Sequence, residues 1–247
     1  MIRTSSALAM ALLLGSAPGT AAAHSYYLGV MGGWSDFRDT TFNHGDEGEI
    51  AVEADYSTGD TLSVAFGRAS EGSDTFRGRS ELEFGFQRAN VDRMAFDERD
   101  LDEEEDEDDV DLGDPEEPID ETDSERTLKR NVSGTTEAAF GFFNAYGDFW
   151  IRENLALVAG FGFGVGEVRF DTHSAEERGV VMDDSDVTYG YQLTGGLAWQ
   201  VWDRLDLEVS YRFRSWEDVS LKSEGDGIKS KVRVPSQNLQ AGLRFRF

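Results

Sequence analysis

The stretch that decides the fold is Val187-Thr-Tyr-Gly-Tyr-Gln-Leu-Thr-Gly-Gly-Leu-Ala-Trp-Gln-Val201. Val187, Tyr189, Tyr191, Leu193, Leu197, Trp199 and Val201 share one parity; Thr188, Gly190, Gln192, Thr194, Gly196, Ala198 and Gln200 share the other. Side chains in an extended chain alternate between faces, so a strand separates the two sets and a helix cannot. Working outward, Leu205, Leu207, Val209, Tyr211 and Phe213 alternate with Asp206, Glu208, Ser210, Arg212 and Arg214, and Leu239, Ala241, Leu243, Phe245 and Phe247 with Gln240, Gly242, Arg244 and Arg246. In 155–170 the apolar set faces away from Gly160, Gly162, Gly164 and Gly166. Glycine weakens a strand, so four at period two imply a face too crowded for side chains, as inside a narrow barrel.

Weaker alternation marks 26–34, 60–68 and 77–90, the last setting Leu82, Phe84 and Phe86 against Arg79, Glu81, Glu83 and Gln87. In 136–147 the phase is ambiguous, because Asn144 falls in register with Phe140 and Phe142. The expectation is eight strands. Connectors 69–77, 148–154 and 203–204 are short, whereas 36–59, 90–131, 171–185 and 216–236 are long and polar. Short turns at one end and long loops at the other are the pattern of a transmembrane barrel.

The apolar face is expected to meet lipid. Arg79, Glu81, Glu83, Asp206, Glu208, Arg212, Arg214, Arg244 and Arg246 then form a charge network inside, four acids against five bases, with the large aromatics outside. A soluble sandwich also alternates, but it would have to bury the aromatics and expose the glycines.

The opening Met-Ile-Arg, the apolar run from Ala7 to Leu14 and the small residues Ala21 and Ala23 read as a secretory signal peptide over 1–23, leaving 24–247 as the barrel. The apolar run is too short to span a bilayer as a helix. The chain has no Cys, which excludes disulfides, thiolate metal sites and Cys nucleophiles.

The 247 residues carry a formal charge of -26, but 97–126 holds 19 Asp or Glu against Arg99 and Arg126. The rest therefore has 21 basic and 30 acidic residues, a balance of −9. Such a run argues against nucleic acid as a partner. It reads as a solvated, self-repelling surface loop over about 92–131. Dense carboxylates also suit divalent cations, although Asp109-Val-Asp111-Leu-Gly113 breaks the EF-hand spacing.

With these residues in hand, the chain resembles the small eight-stranded outer-membrane barrels of the OmpA/OmpX type. Tyr27-Leu-Gly-Val-Met-Gly-Gly-Trp34, the stretch from Gly196 to Phe213, and Leu239-Gln-Ala-Gly-Leu-Arg-Phe-Arg-Phe247 carry the likeness. The resemblance implies an all-β, antiparallel, up-and-down barrel, exported to the outer membrane of a Gram-negative cell. It implies that the terminal strand, with Phe245 and Phe247, is the signal read by the barrel-assembly machinery. Outer-membrane lipid is the expected surrounding and a monomer the expected state. The expected role is non-enzymatic and without a cofactor, either adhesion through surface loops or envelope integrity. One alternative is a narrow porin-like channel for ions or small solutes. The other is a lipid A-modifying enzyme, for which His173 beside Ser174, Glu176 and Glu177 is the nearest grouping; sequence neighbours seldom align as a triad, and His24 and His44 stand elsewhere.

Overall fold

The computed structural model describes residues 25–38, 40–44, 50–70, 72–98, 127–129, 132–175, 179–222 and 229–247. The signal-peptide segment and nearly all of the acidic run lie outside the described residues. The strands are β1 (Ser25–Phe37), β2 (Thr40–His44), β3 (Ile50–Tyr56), β4 (Gly59–Ala69), β5 (Phe76–Glu98), β6 (Thr127–Lys129), β7 (Val132–Arg152), β8 (Leu155–Ala175), β9 (Gly179–Trp202), β10 (Leu205–Lys222) and β11 (Lys229–Arg246). Eight of them form an antiparallel ring, β1-β4-β5-β7-β8-β9-β10-β11, closed by the pairing of β11 with β1. β2, β3 and β6 are short additions at the loop end, where β3 and β6 pair with the far half of β5.

The ring has a measurable stagger. Following partners from Tyr27 through Gly67, Glu81, Asn144, Gly162, Gln192, Arg214 and Ser236 returns to β1 at Phe37, ten residues from the start. Eight strands with that shear tilt by about 40° and enclose a bore of about 8 Å radius to the backbone, which side chains fill.

The strands are longer than a bilayer requires. β7, β8 and β9 have 21, 21 and 24 residues, so at that tilt each rises about 50–60 Å, roughly twice the ~25 Å apolar band of such barrels. The long polar connectors expected at 171–185 and 216–236 are therefore mostly strand. β8 and β9 stay paired to Ala175 and Gly179, and β10 and β11 to Lys222 and Lys229. β5 likewise runs to Glu98, and the connector at 36–59 contains β2 and β3. The short connector at 148–154 shrinks to Glu153-Asn154, because β7 continues to Arg152.

These strand ends read as loops because their polarity is reversed. On β8 the outward residues change from Leu157, Phe161, Phe163 and Val165 to Glu167 and Arg169, while the inward ones change from glycines to Val168 and Phe170. On β11, Leu239 and Leu243 point out and Gln240 and Asn238 in, whereas farther up Arg233 and Lys231 point out and Val234 and Val232 in. β5 makes the same exchange between Phe86 and Arg88 outside, and between Gln87 and Ala89 inside. Five outward apolar positions per strand, as from Leu157 to Val165, rise about 20 Å and with their girdle side chains match the hydrocarbon layer. The barrel thus spans a membrane with its turn-side half and stands above it with the other.

Candidate functional site: a two-tier bore

The lower tier is ionic. Arg79, on β5, donates from Nε to Asp148 Oδ1 at 2.9 Å and from Nη2 to Glu208 Oε2 at 3.3 Å. Arg244, on β11, donates to Asp206 Oδ2 at 3.0 Å and to Glu208 Oε2 at 3.3 Å. Arg246 donates to Asp206 Oδ1 at 2.9 Å at the turn-side rim. Above them Glu83 accepts from Arg212 Nη1 at 2.7 Å, Gln192 Nε2 at 2.8 Å and Asn144 Nδ2 at 2.9 Å, with Arg214 Nη2 at 3.7 Å. Glu81 joins the two knots by accepting from Tyr27 Oη at 2.8 Å and Asn144 Nδ2 at 3.2 Å.

All nine charges named from the sequence line this bore, eight of them buried and Arg246 at its rim. Asp148 is the tenth. It falls in the connector expected at 148–154, yet it lies buried between Arg79 and Arg244. With it the ion-paired network joins five carboxylates and five guanidiniums, Glu81, Glu83, Asp148, Asp206 and Glu208 with Arg79, Arg212, Arg214, Arg244 and Arg246, while Arg77 stands half-buried over the Trp150 ring at the rim. Balance matters because an unpaired ion in such confinement costs several kcal/mol, about 3–5 when one partner is deleted.

The upper tier is apolar. Phe37, Ala54, Tyr56, Ala89 and Val91 come from β1, β3 and β5; Ala138, Phe140, Phe142, Val168 and Phe170 from β7 and β8; Trp216, Val219, Val232 and Val234 from β10 and β11. The expectation that large aromatics would all face lipid is corrected here. Above the belt, where Glu167 and Arg169 replace the outward apolar residues, Val168, Phe170, Val232 and Val234 turn inward as in a soluble protein. Phe140, Phe142 and Trp216 fill the bore at the top of the belt itself, level with outward Phe84, Phe86 and Val165. The ambiguous phase of β7 resolves with Asn144, Phe142 and Phe140 all inside. The glycine face lies against these rings: a Cβ on Gly166 or Gly190 would come within 2.6 Å of the Trp216 indole.

Arg214 joins the tiers. Its guanidinium carbon sits 3.9 Å from the Phe140 ring centroid and 5.2 Å from that of Phe142. Meanwhile Nη1 donates to Gln87 Oε1 at 2.8 Å and Nη2 to Gln192 Oε1 at 3.0 Å. A guanidinium stacks on aromatic faces while bonding in its plane, which suits a junction between ions and rings.

Outside, Phe245 and Phe247 face away from the bore, and the Phe247 N–H donates to the Tyr26 carbonyl at 2.9 Å, tying the terminal strand to the first. The side chains of His24, His44 and His173 lie outside the described residues. Among the described residues no group of three or more His, Cys, Asp or Glu is placed to hold a metal ion.

Neither a protein-family model nor a curated protein matches the chain. Solved structures do. Neisserial surface protein A is 12% identical, with 90% of this chain and 97% of that one covered and a TM-score of 0.44. Ail, the attachment invasion locus protein of Yersinia pestis, solved with the heparin analogue sucrose octasulfate, is 14% identical over 89% and 99%, with a TM-score of 0.38. The outer membrane protease OmpT of Escherichia coli is 9% identical over 90% and 97%, with a TM-score of 0.45. The chain is a membrane-spanning β-barrel. That statement rests on the closed ring and its apolar belt, since likenesses this distant carry no conclusion about function. The OmpA/OmpX type stays a resemblance.

Proposed function

We propose that this chain is a non-enzymatic outer-membrane barrel that carries its surface loops on a rigid extension above the lipid. The observation behind this reading is the filled bore: a balanced ionic tier below and a packed apolar tier above use the interior for structure. Chemistry offered to a partner then lies on the outer hairpins and the acidic segment, where adhesion or divalent-cation contact takes place. The barrel-assembly machinery reads the terminal strand ending in Phe247, and the protein works as a monomer.

Purified protein in planar bilayers tests this first, with no steady conductance expected. A conductance altered by Glu208→Gln or Arg212→Gln would make it a channel, and a change in lipid A mass on expression would make it an enzyme. Deleting 99–126 is expected to lower surface attachment or calcium-dependent aggregation of cells without changing the folded barrel's migration in unboiled gels. Unchanged attachment and aggregation would remove the acidic segment from the reading.

A further inference from the structure

Beside the balanced ion network, the turn-side mouth of the bore carries one cation without a counter-charge. Arg77 precedes Arg79 by two residues on β5, so it shares the inward parity of the ionic tier, one level nearer the turns. It is half-buried, and its guanidinium carbon stands 5.3 Å from the centroid of the Trp150 ring. Among the described residues it takes part in no hydrogen bond and no ion pair. The charges that act on it are the cations Arg246 and Arg244 and the carboxylates of Asp148 and Asp206. Both carboxylates are already engaged, Asp148 by Arg79 and Asp206 by Arg244 and Arg246.

Arg246 faces the same mouth from β11, and it too is incomplete. Its Nη2 donates to Asp206, but its Nε is buried and has no acceptor among the described residues. A buried donor ordinarily has one. The side chain can therefore turn that donor toward an incoming anion without giving up a bond through it. Elsewhere, Arg88, Arg93 and Arg233, all more exposed than Arg77, each have a carboxylate within 3.6 Å. At the level of the mouth β4, β8 and β9 present Ala69, Ala156 and Ala198 to the bore, and these positions supply no acceptor. Arg77 and Arg246 both remain partly exposed, so they are reached from the turn side without entry into the bore.

We infer that the turn-side mouth binds one phosphate group between the Arg77 guanidinium and Arg246. Guanidinium forks match phosphate oxygens, and two forks from different strands suit a tetrahedral oxyanion, whose oxygens point several ways, better than a planar carboxylate that a single fork satisfies. Arg79 and Arg244, bridged through Asp148 and Glu208, lie across the bore directly above. The anion therefore docks at the mouth and is not conducted. Its source is either free phosphate or the headgroup of a phospholipid in the turn-side leaflet. This goes beyond the anchoring role, and it stands or falls separately from the conductance and attachment experiments.

The test uses the full-length mature protein in maltoside micelles, which contain no phosphate, titrated calorimetrically with inorganic phosphate and, at matched ionic strength, with chloride. Saturable binding of phosphate and not of chloride is expected. Arg77→Gln is expected to weaken it about tenfold, and Arg77→Lys, which keeps the charge but loses the fork, to weaken it less. Arg88→Gln, at the other end of the belt and paired with Asp60, is expected to leave it unchanged. No saturable binding, or equal affinity in Arg77→Gln, overturns the inference. The wild type is then compared in galactolipid vesicles with and without phosphatidylglycerol. A lower apparent affinity for free phosphate beside phosphatidylglycerol assigns the bound group to a lipid headgroup; equal affinity assigns it to a soluble anion. If Arg77→Gln does not fold, judged by migration with and without heating, protection of Arg77 from phenylglyoxal is read by mass spectrometry on the wild type, and equal modification in phosphate and in chloride overturns the inference.

Discussion

Below the level of Arg88 and Glu167 the barrel is greasy outside and, beneath Phe142, charged inside; above it, β5, β7, β8, β10 and β11 are polar outside and apolar inside. One backbone architecture therefore holds two cores built on opposite principles. In the membrane half the hydrophobic effect acts outward, toward acyl chains, and the interior is organised by ion pairs whose geometry must be complete. In the outer half water surrounds the wall, so the familiar soluble arrangement returns and dispersion among Phe37, Val168, Phe170, Val219, Val232 and Val234 fills the bore, continuing onto Phe140, Phe142 and Trp216 at the top of the belt. The boundary is a change of solvent, not of secondary structure.

The comparison breaks most sharply at Glu83. Glu83→Ala strands Arg212 and Arg214 in the bore, and a loss of roughly 3–5 kcal/mol is expected in urea unfolding of the vesicle-inserted barrel. A loss under 1 kcal/mol would show that water already solvates that tier. In the outer half, Trp216→Ala is expected to cost about 3 kcal/mol. The damage stays local: protease is expected to cut the hairpins above residue 190 while the folded barrel still migrates differently with and without boiling. Cleavage reaching the membrane half would mean that the two tiers unfold as one.

A pair of outward substitutions on either side of the boundary sharpens it further. Phe161→Arg places a cation against hydrocarbon and is expected to cost about 2–4 kcal/mol near the midplane. Glu137→Arg, on the outward face above the belt, is expected to change stability by less than about 0.5 kcal/mol. Similar costs at the two positions would move the lipid boundary away from where the strands change polarity.

Much of this was legible in the chain. Period-two alternation in 77–90, 187–201, 205–214 and 239–247 locates strands and their faces, and the nine charges on those faces line one bore. Asp148 escaped because the sequence around it, Tyr-Gly-Asp-Phe-Trp, resembles a turn entry, although its parity with Asn144 and Tyr146 matched the inward face. The upper tier is hidden in the sequence because its alternation runs in the opposite phase. Val232-Arg-Val234 and Glu167-Val-Arg-Phe170 alternate as regularly as the membrane segments but with apolar residues on the other face, a pattern that by itself does not differ from a polar loop.

The sequence by itself determined that this chain forms long amphipathic strands, and which residues share a face, because side-chain parity is a local property of extended backbone. Only the tertiary structure decided how far each strand continues, that five carboxylates meet five guanidiniums, and where inside and outside exchange character. Those depend on stagger and ring closure, which bring together residues such as Arg79 and Glu208, and no local pattern encodes that distance.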